Sequence, residues 1–306
     1  MIVVTGATGN VGRPLTRALA EAGEQVTAVS RHAAAMPDGV RHVVADLAEP
    51  AGLTTVLHEA QALFLLLSGD LHAPGARPAD IIRLAAAHGV RRVVLLSSQG
   101  VATRPLGPTR VAMRALEDTL RESGLEWAVL RPGGFASNAL AWAESVRTRG
   151  TVAAPFGDVG VPVVDPADIA EVAAACLLDD RHTGGVFELT GPEVVTPRQQ
   201  AAAIAAALGS PVRFRELTRD EAKAAMTRFV PAELADDTLD IIAAPNPAEL
   251  RISPDVERVV GRPPRPFGNW VARHIAAFRP ADQPPVPHSQ SEGSESAVRP
   301  ADSDTA

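Results

Sequence analysis

Three glycines spaced three residues apart, Gly6, Gly9 and Gly12, follow the strand-like segment IVVT near the start of the chain. Glycine is needed where a strand turns sharply into a helix, where backbone approaches a pyrophosphate, and where the helix packs on the strand. The N-terminus of the helix that follows would offer free N–H groups to the phosphates. The stretch therefore predicts a dinucleotide-binding turn, made of Gly6, Ala7, Thr8, Gly9, Asn10, Val11 and Gly12.

The residues after the second predicted strand indicate which dinucleotide binds. That strand ends in Ser30-Arg31, and no acidic residue occurs before Asp38. An acidic residue here favours the ribose 2′-hydroxyl of NAD, whereas a cation favours the 2′-phosphate of NADP. Because Arg31 can donate paired, charge-assisted hydrogen bonds to a phosphate, we expect NADP(H) as the cofactor. Asp46-Leu47, after the third strand, is predicted to flank the adenine, although Asp46 could equally cap a helix.

Alternating strands and helices must position these residues. Continuously apolar runs of strand length alternate with helical patterns, which is typical of a parallel sheet covered on both faces. We predict an α/β protein, a doubly wound parallel sheet of the Rossmann type with a smaller mixed α/β C-terminal substrate region. The predicted strands cover 2–5, 25–29, 40–45, 62–67, 92–96, 127–130 and 186–189, and the predicted helices 11–22, 79–88, 109–123, 167–178, 197–208 and 218–243.

The domain organisation follows from the same pattern and from composition. A dinucleotide-binding domain is predicted over residues 1–150, and an interleaved substrate-binding region over 151–279. Residues 280–306 are rich in Pro, Ser, Asp and Glu, with few apolar side chains to bury, so we predict a disordered tail.

Composition excludes several classes of protein. The 306 residues carry a formal net charge of −7 without a basic cluster, which argues against nucleic-acid binding. The apolar runs are too short to cross a bilayer, and the N-terminus lacks the features of a signal peptide, so we expect a cytoplasmic protein without a membrane partner. The single cysteine, Cys176, lies in an apolar helical run and is interpreted as a buried hydrophobic residue. We predict no metal site and leave the oligomeric state open.

Several segments together resemble one family. They are TGATGNVG, Ser30-Arg31, Asp46-Leu47, LLSSQG at 95–100 and ALEDTLRESGLEWAVLRPGGFASN at 115–138. These segments are similar to the NmrA-like branch of the atypical short-chain dehydrogenases, and the resemblance extends to about residue 275. It implies a Rossmann-like domain, a smaller C-terminal region closing over the nicotinamide, and usually NADP(H). Members of the family include reductases of quinones, aldehydes, ketones and benzylic ethers, and regulators that bind the dinucleotide without turnover.

The resemblance also implies site residues. The family's phosphate-binding stretch falls on residues 6–11, and its adenosine-phosphate contact falls on Arg31. Ser97, which follows the strand over 92–96, is included among the cofactor-binding residues. A Pro-Gly-Gly sequence would let the backbone approach a flat ring, since no side chain intervenes. The segment beside the nicotinamide falls on Arg131, Pro132, Gly133, Gly134 and Phe135.

One departure from the family pattern bears on the chemistry. The family's Tyr-x-x-x-Lys pair supplies a proton donor and the lysine that tunes it, but this chain contains no tyrosine. The lysine position falls on Met113, which has neither charge nor proton to offer. Arg110 or Arg114 could supply positive charge from a neighbouring turn, or could form the solvated face of the helix. We therefore assign no catalytic residue.

The absence of a side-chain acid narrows the choice of acceptor. Hydride delivery belongs to the cofactor. Reduction of a simple ketone gives an alkoxide that needs an immediate proton, whereas a quinone or conjugated enone gives a delocalised anion that water can protonate later. We predict an NADPH-dependent oxidoreductase acting on a small conjugated carbonyl, quinone or ketone, aromatic or conjugated in character. A non-catalytic NADP(H)-sensing regulatory protein is the alternative, and a dinucleotide-dependent isomerase or epimerase is a weaker one.

Polar and apolar residues are also predicted around the acceptor. Polar side chains at strand ends could orient its carbonyl, or could serve only as loop and cap residues. These are Ser97, Ser98, Gln99 and Asn138. Apolar side chains could line a pocket, or pack in the core instead. These are Phe135, Trp142, Met226 and Phe229.

Overall fold

A computed structural model describes residues 1–67 and 77–280 of the chain. The strands are β1 (Ile2–Thr5), β2 (Val26–Ser30), β3 (Arg41–Val44), β4 (Ala62–Leu66), β5 (Arg92–Leu96), β6 (Glu126–Pro132), β7 (Thr151–Ala154), β8 (Gly185–Leu189) and β9 (Arg213–Glu216). Seven of them form one sheet in the order β3-β2-β1-β4-β5-β6-β8, while β7 and β9 form a separate pair. Every neighbouring pair is parallel.

Helices connect these strands. In the described part of the chain the α-helices are α1 (Gly12–Glu21), α2 (Thr54–Leu57), α3 (Ala79–Ala87), α4 (Gly100–Thr103), α5 (Pro108–Glu122), α6 (Ala143–Arg149), α7 (Pro166–Leu178), α8 (Pro197–Leu208), α9 (Arg219–Met226), α10 (Ala232–Ala243), α11 (Asp255–Val260) and α12 (Phe267–His274). Short 3₁₀ helices cover Pro50–Leu53, Ala136–Trp142, Asp180–His182 and Ile275–Phe278. No helix within residues 1–67 and 77–280 is both long and apolar enough to cross a membrane.

Apolar side chains cover both faces of the large sheet. On one face, residues of α1 and α7 join the strands in a buried cluster that includes Leu15, Val172 and Cys176. On the other face, residues of α2, α3 and α5 form a second cluster that includes Ile81 and Leu120. Because both faces are buried at the centre of the sheet, strands such as β1 and β4 are almost continuously apolar, as in parallel sheets generally. The predicted doubly wound Rossmann-type sheet is confirmed.

The C-terminal half has its own apolar cluster but also contributes to the large sheet. Residues of α8 and α12 pack together around the fully buried side chains of Trp270 and Phe278. Strand β8 pairs with β6, with Leu189 opposite Pro132. Residues on both sides of position 150 therefore share one sheet, and the division into 1–150 and 151–279 stays a proposal about which residues hold cofactor and which hold substrate. Of the predicted tail, all but Pro280 lies outside the described residues.

The segment 218–243, predicted to be mostly helical, consists of two helices, α9 and α10, and Pro231 stands immediately before α10. Proline lacks the N–H that a continuous helix would need at this point. Phe229, between the two helices, is 86% exposed. The suggestion that Phe229 lines an apolar pocket is therefore wrong.

Two aspartates near the start of α7 have different roles. Asp165, rather than Asp168, caps this helix, because its Oδ1 accepts the N–H of Ala167 at 2.9 Å. Asp168 is instead fully buried and accepts hydrogen bonds from Arg262 and Arg265, which belong to the segment before α12. A buried carboxylate in this position ties the C-terminal segment to the helix that covers the sheet.

Candidate active site

The glycine turn between β1 and α1 is held by contacts that tolerate no side chain. Gly6 has a φ of +62°, a left-handed conformation that favours glycine. A Cβ on Gly12 would lie 2.1 Å from the carbonyl oxygen of Gly6, so α1 begins directly against the turn. The Thr5 hydroxyl donates to the carbonyl of Phe64 at 3.0 Å and accepts the N–H of Leu66 at 2.8 Å, which fixes β1 beside β4. The sequence of this turn thus dictates its geometry.

The same turn leaves hydrogen-bond donors available to a ligand. Among the described residues, no carbonyl accepts the backbone N–H groups of Thr8, Asn10 or Val11. These groups lie at the N-terminus of α1, where unpaired N–H groups and the helix dipole favour an anion. Ala7 and Val11 have buried side chains and can contribute through the backbone only. The donor set of the turn therefore fits the pyrophosphate of a dinucleotide.

A cavity of about 220 Å³, the β2 cavity, lies beside this turn at the carboxyl ends of β1, β2 and β3. It brings together the predicted Gly6, Thr8, Gly9, Arg31, Asp46 and Leu47, with Ser30. The Arg31 side chain is exposed, and no carboxylate in the described chain forms a salt bridge with it. A phosphate arriving at this cavity would find Arg31 available for a charge-assisted bond.

Two polar residues of the β2 cavity are already engaged. The buried Ser30 hydroxyl donates to the carbonyl of His32 at 2.8 Å and also lies 2.8 Å from Nε2 of His42. Oδ1 of Asp46 accepts the N–H of Ala48 at 2.9 Å, so this carboxylate shapes the loop after β3. Asp46 therefore holds a turn and does not cap a helix, since the next helix begins only at Pro50, while its place beside the adenine stays a prediction.

A second cavity, of about 360 Å³, lies further along the carboxyl edge of the sheet. We call it the α10 cavity, because α10 contributes Leu234, Asp237, Thr238, Ile241 and Ile242 to its wall. The ends of β5 and β6 form the opposite side, with Ser98, Gln99 and the predicted Pro132, Gly133 and Gly134. In doubly wound sheets, ligands bind outside the carboxyl ends of the strands. Both cavities lie at this edge, the β2 cavity against the glycine turn and the α10 cavity against the ends of β5 and β6.

Gln99 and Gly133 meet at the floor of the α10 cavity. The Gln99 side chain is buried, and its Oε1 would lie 3.2 Å from a Cβ on Gly133. Its Nε2 donates only a long hydrogen bond of 3.4 Å, to the carbonyl of Ala248. The Gln99 N–H and the Gly133 N–H anchor the backbone by donating to Pro132 and Leu189 at 2.9 Å each. The amide of Gln99 is thus placed beside a strand end that lacks side chains.

Two predicted cofactor residues, Ser97 and Arg131, direct their side chains to Glu117 instead of either cavity. The Ser97 hydroxyl donates to Oε1 of Glu117 at 2.5 Å. Arg131 donates from Nε at 3.0 Å and from Nη2 at 2.6 Å. Burial raises the pKa of Glu117, but the hydrogen bonds from Arg131 and Ser97 outweigh it, so the pKa lies below its ordinary value. Any contact of Ser97 or Arg131 with a cofactor would have to come from the backbone.

Phe135 and Asn10 also have partners within the protein. Phe135 forms an isolated parallel bridge with Val164 and packs on the first apolar cluster. The Asn10 side-chain amide donates to the hydroxyl of Ser137 at 3.1 Å. The Asn10 contact joins the glycine turn to the segment after β6, and the Phe135 bridge joins that segment to the residues before α7.

The α10 cavity lacks the usual proton donors. Among its described lining residues there is no tyrosine, lysine, histidine or cysteine. Met113 lines the cavity and is 9% exposed. The charged lining residues are Arg110, Asp237 and Glu249. Burial raises the pKa of Glu249, but the hydrogen bond from Arg104 holds that pKa below its ordinary value, so Glu249 is an ionised carboxylate and no acid at neutral pH.

Sequence reasoning missed Glu117 and the α10 wall. The burial of Glu117 could have been predicted, because at helical spacing it shares an apolar stripe with Met113, Leu116 and Leu120. An acidic residue on such a stripe must be paired when it is buried. No comparable indication exists for α10, because its residues line the cavity only through the way this helix packs against segments far away in the sequence.

Comparisons with known proteins agree with this geometry. A family described as NAD(P)H-binding matches residues 6–180. A (4-alkanoyl-5-oxo-2,5-dihydrofuran-3-yl)methyl phosphate reductase of Streptomyces griseus is 37% identical, over 92% of this chain and 100% of that protein. An NAD(P)H azoreductase of Xenophilus azovorans is 33% identical, over 91% of this chain and 99% of its own. The crystal structure of an NADPH-dependent quinone oxidoreductase of Escherichia coli, complexed with NADPH, aligns at a TM-score of 0.73 with 27% identity, over 90% of this chain and 100% of that one.

Proposed function

Because the chain belongs to the NAD(P)H-binding family, we propose that it is an NADPH-dependent reductase of a small conjugated carbonyl compound or quinone. The match and the doubly wound sheet confirm the resemblance to NmrA-like Rossmann proteins and, with it, an NAD(P)H-dependent oxidoreductase. The chemical class of the acceptor depends on the residues that line the α10 cavity.

In this proposal the cofactor lies along the carboxyl edge of the sheet. The N–H groups of Thr8, Asn10 and Val11 bind its pyrophosphate, and Arg31 binds the 2′-phosphate. The bound cofactor supplies the hydride. The side-chain-free strand end at Gly133 and Gly134 holds its nicotinamide end beside the α10 cavity.

The observation that carries the choice of acceptor is the composition of the α10 cavity. Its lining is mainly apolar, it contains a neutral amide in Gln99, and its described residues offer no acid for protonating an alkoxide. Hydride addition to a conjugated acceptor moves an electron pair onto oxygen and leaves a delocalised anion. Gln99 can donate a hydrogen bond to that oxygen, and water can supply the proton afterwards. The named reductases of phosphorylated dihydrofuranones, azo compounds and quinones support this class of electron-poor acceptor.

The test compares a quinone with a conjugated enone and the saturated ketone that matches the enone. Stopped-flow oxidation of NADPH would be measured with menadione, cyclohexenone and cyclohexanone. We expect kcat/KM for the conjugated compounds to exceed that for cyclohexanone by about 100-fold or more, since a general acid is worth at least that much to a simple ketone. Equal rates for cyclohexenone and cyclohexanone would refute the argument. Tight binding of NADPH without oxidation by any acceptor would favour the NADP(H)-sensing alternative.

A variant tests the role of Gln99. Gln99→Leu removes the amide at nearly constant volume, and we expect it to lower kcat/KM for cyclohexenone by about 100-fold, as loss of one oxyanion donor does. Gln61→Leu, the same exchange at an exposed position before β4 and outside both cavities, serves as the matched control and should cost less than about threefold. NADPH affinity, measured by fluorescence, separates a lost donor from a displaced cofactor.

A further inference from the structure

Arg110 is a cation built into the wall of the α10 cavity. It lies in the first turns of α5 and is only 6% exposed. Two glycines make room for its guanidinium. A Cβ on Gly107 would lie 2.5 Å from Nη1, and a Cβ on Gly100 would lie 3.2 Å from Nε. A side chain at either glycine would narrow the space that the guanidinium occupies. Arg110 is therefore buried in the cavity wall and does not lie on the solvated face of the helix, which was the alternative considered from sequence.

The carboxylate that neutralises Arg110 belongs to the opposite wall. Nη1 of Arg110 pairs with Oδ2 of Asp237, on α10. The Asp237 side chain is 33% exposed, against 7% for the Arg110 side chain. If the two separate, the carboxylate moves into water at little cost, while the guanidinium stays in the cavity, where an anion on a ligand can take the place of Asp237.

The other carboxylate of the cavity, Glu249, already pairs with Arg104. Oε1 of Glu249 accepts Nε of Arg104 at 2.7 Å and the Thr103 hydroxyl at 3.0 Å. Its Oε2 accepts Nη2 of Arg104 at 2.9 Å and the N–H of Asn246 at 2.9 Å. Each oxygen of Glu249 thus accepts two hydrogen bonds within the protein. Asp237 is therefore the carboxylate that an incoming anion would replace.

We infer that Arg110 is a specificity-determining residue that binds a phosphate monoester on the acceptor, which takes the place of Asp237. A planar guanidinium binds phosphate oxygens in a paired arrangement, and the exchange replaces one anion with another, so no buried charge is left uncompensated. The similar reductase of Streptomyces griseus is named for a methyl phosphate, which is the same chemistry. This inference rests on the proposed function, because it adds an anionic group to the conjugated acceptor of the same cavity.

The experiment uses a matched pair of acceptors, a hydroxymethyl butenolide and its phosphate monoester. For the wild type we expect kcat/KM to favour the phosphate by about 30-fold, the value of a charge-assisted interaction. Arg110→Gln should remove this preference. Arg83→Gln, the same exchange on the exposed side of α3, should keep it.

Asp237→Asn distinguishes recognition from a merely structural ion pair. If Asp237 competes with the phosphate, its loss should lower KM for the phosphate ester and increase the preference. If the pair only holds α10 in place, the variant should weaken the phosphate ester and the alcohol equally, and that result would overturn the inference.

Binding measurements keep this test separate from turnover. The NADP⁺-saturated protein would be titrated calorimetrically with each of the two compounds. Reduction of the alcohol without a preference for its phosphate, in turnover and binding alike, would refute the role of Arg110 and leave the proposed function intact. Preferential binding of the phosphate, lost in Arg110→Gln, would support that role even if neither compound were reduced, in which case the proposed function alone would fail.

Discussion

Glu117 should contribute more to stability than any surface ion pair of α5. It is fully buried, and its two oxygens accept hydrogen bonds from Ser97, Arg121 and Arg131. Glu117→Gln keeps the shape but leaves Arg131, whose side chain is 14% exposed, without its carboxylate. Breaking a buried pair in this way costs about 3 kcal/mol, the lower end of the usual range, because both arginines keep some contact with water. For a protein of this size, the loss lowers Tm by about 6 °C.

The adjacent residue provides the control. Asp118 pairs with Arg121 at 2.8 Å, but its side chain is 53% exposed. Asp118→Asn should change the free energy of unfolding by less than about 0.5 kcal/mol, as exposed pairs do. Both variants would be unfolded in urea and followed by tryptophan fluorescence, since Arg121 lies over the ring of Trp127. If Glu117→Gln were as stable as Asp118→Asn, the reasoning about the buried carboxylate would be wrong.

The pH dependence gives a second check on Glu117. Its pKa in the folded protein is lower than the ordinary value of 4.5. A carboxyl with a lowered pKa stabilises the fold above its ordinary pKa, and this contribution is lost as pH falls through the folded-state pKa. The stability difference between wild type and Glu117→Gln should therefore be constant near neutral pH and shrink in the acid range below about pH 4.5. A difference that persisted unchanged into strong acid would contradict the assignment.

Four further predictions concern the cofactor, the cavity and the chain end. Arg31→Ala should weaken NADPH binding by about tenfold while NADH affinity stays constant, and equal losses for both in a fluorescence titration would contradict a phosphate contact. Gly12→Ala should abolish NADPH binding or prevent folding, because its Cβ would lie 2.1 Å from a backbone oxygen, whereas Gly268→Ala, with no atom near its Cβ, should bind normally. Met113→Leu should keep at least about a third of wild-type kcat/KM, since volume and polarity are nearly conserved, and a collapse of turnover with intact binding would mean that Met113 takes part in the chemistry. A chain ending at Pro280 should melt within about one or two degrees of the full chain, and a larger drop would show that residues beyond it dock on the fold.

The parts of the fold that follow from local sequence were predicted well, and the reason is physical. The strand–turn–helix from Gly6 to Gly12 needs a left-handed backbone at Gly6 and the absence of a side chain at Gly12. The glycines in the sequence are therefore enough to predict this turn. Helix α8 was bounded correctly by Pro197 and Gly209, because a proline at the first turn and a left-handed glycine after the last are local devices.

Side-chain direction and distant packing could not be predicted in the same way. Ser97 was included among the cofactor residues from its place after a strand, and Arg131 from the family resemblance, but their side chains bind Glu117 on α5. Which way a strand residue faces depends on the helix that packs against it. Strands β7 and β9, likewise, pair residues about 60 positions apart, such as Thr151 with Arg213, and two four-residue strands, of which β9 is polar and exposed, carry little pattern of their own.

The buried position of Cys176 has a consequence for the durability of the protein. Quinones and conjugated lactones alkylate thiolates, so a protein that handles them risks covalent inactivation at its own cysteines. Here the chain has one cysteine, and burial raises the pKa of its thiol to about 12. Fewer than about one molecule in ten thousand then carries a thiolate at neutral pH, and Cys176 lies on the buried face of α7, packed against the sheet. Under the proposed function the chain should therefore tolerate long exposure to electrophilic acceptors, and its mass should stay unchanged after prolonged incubation with NADPH and excess menadione.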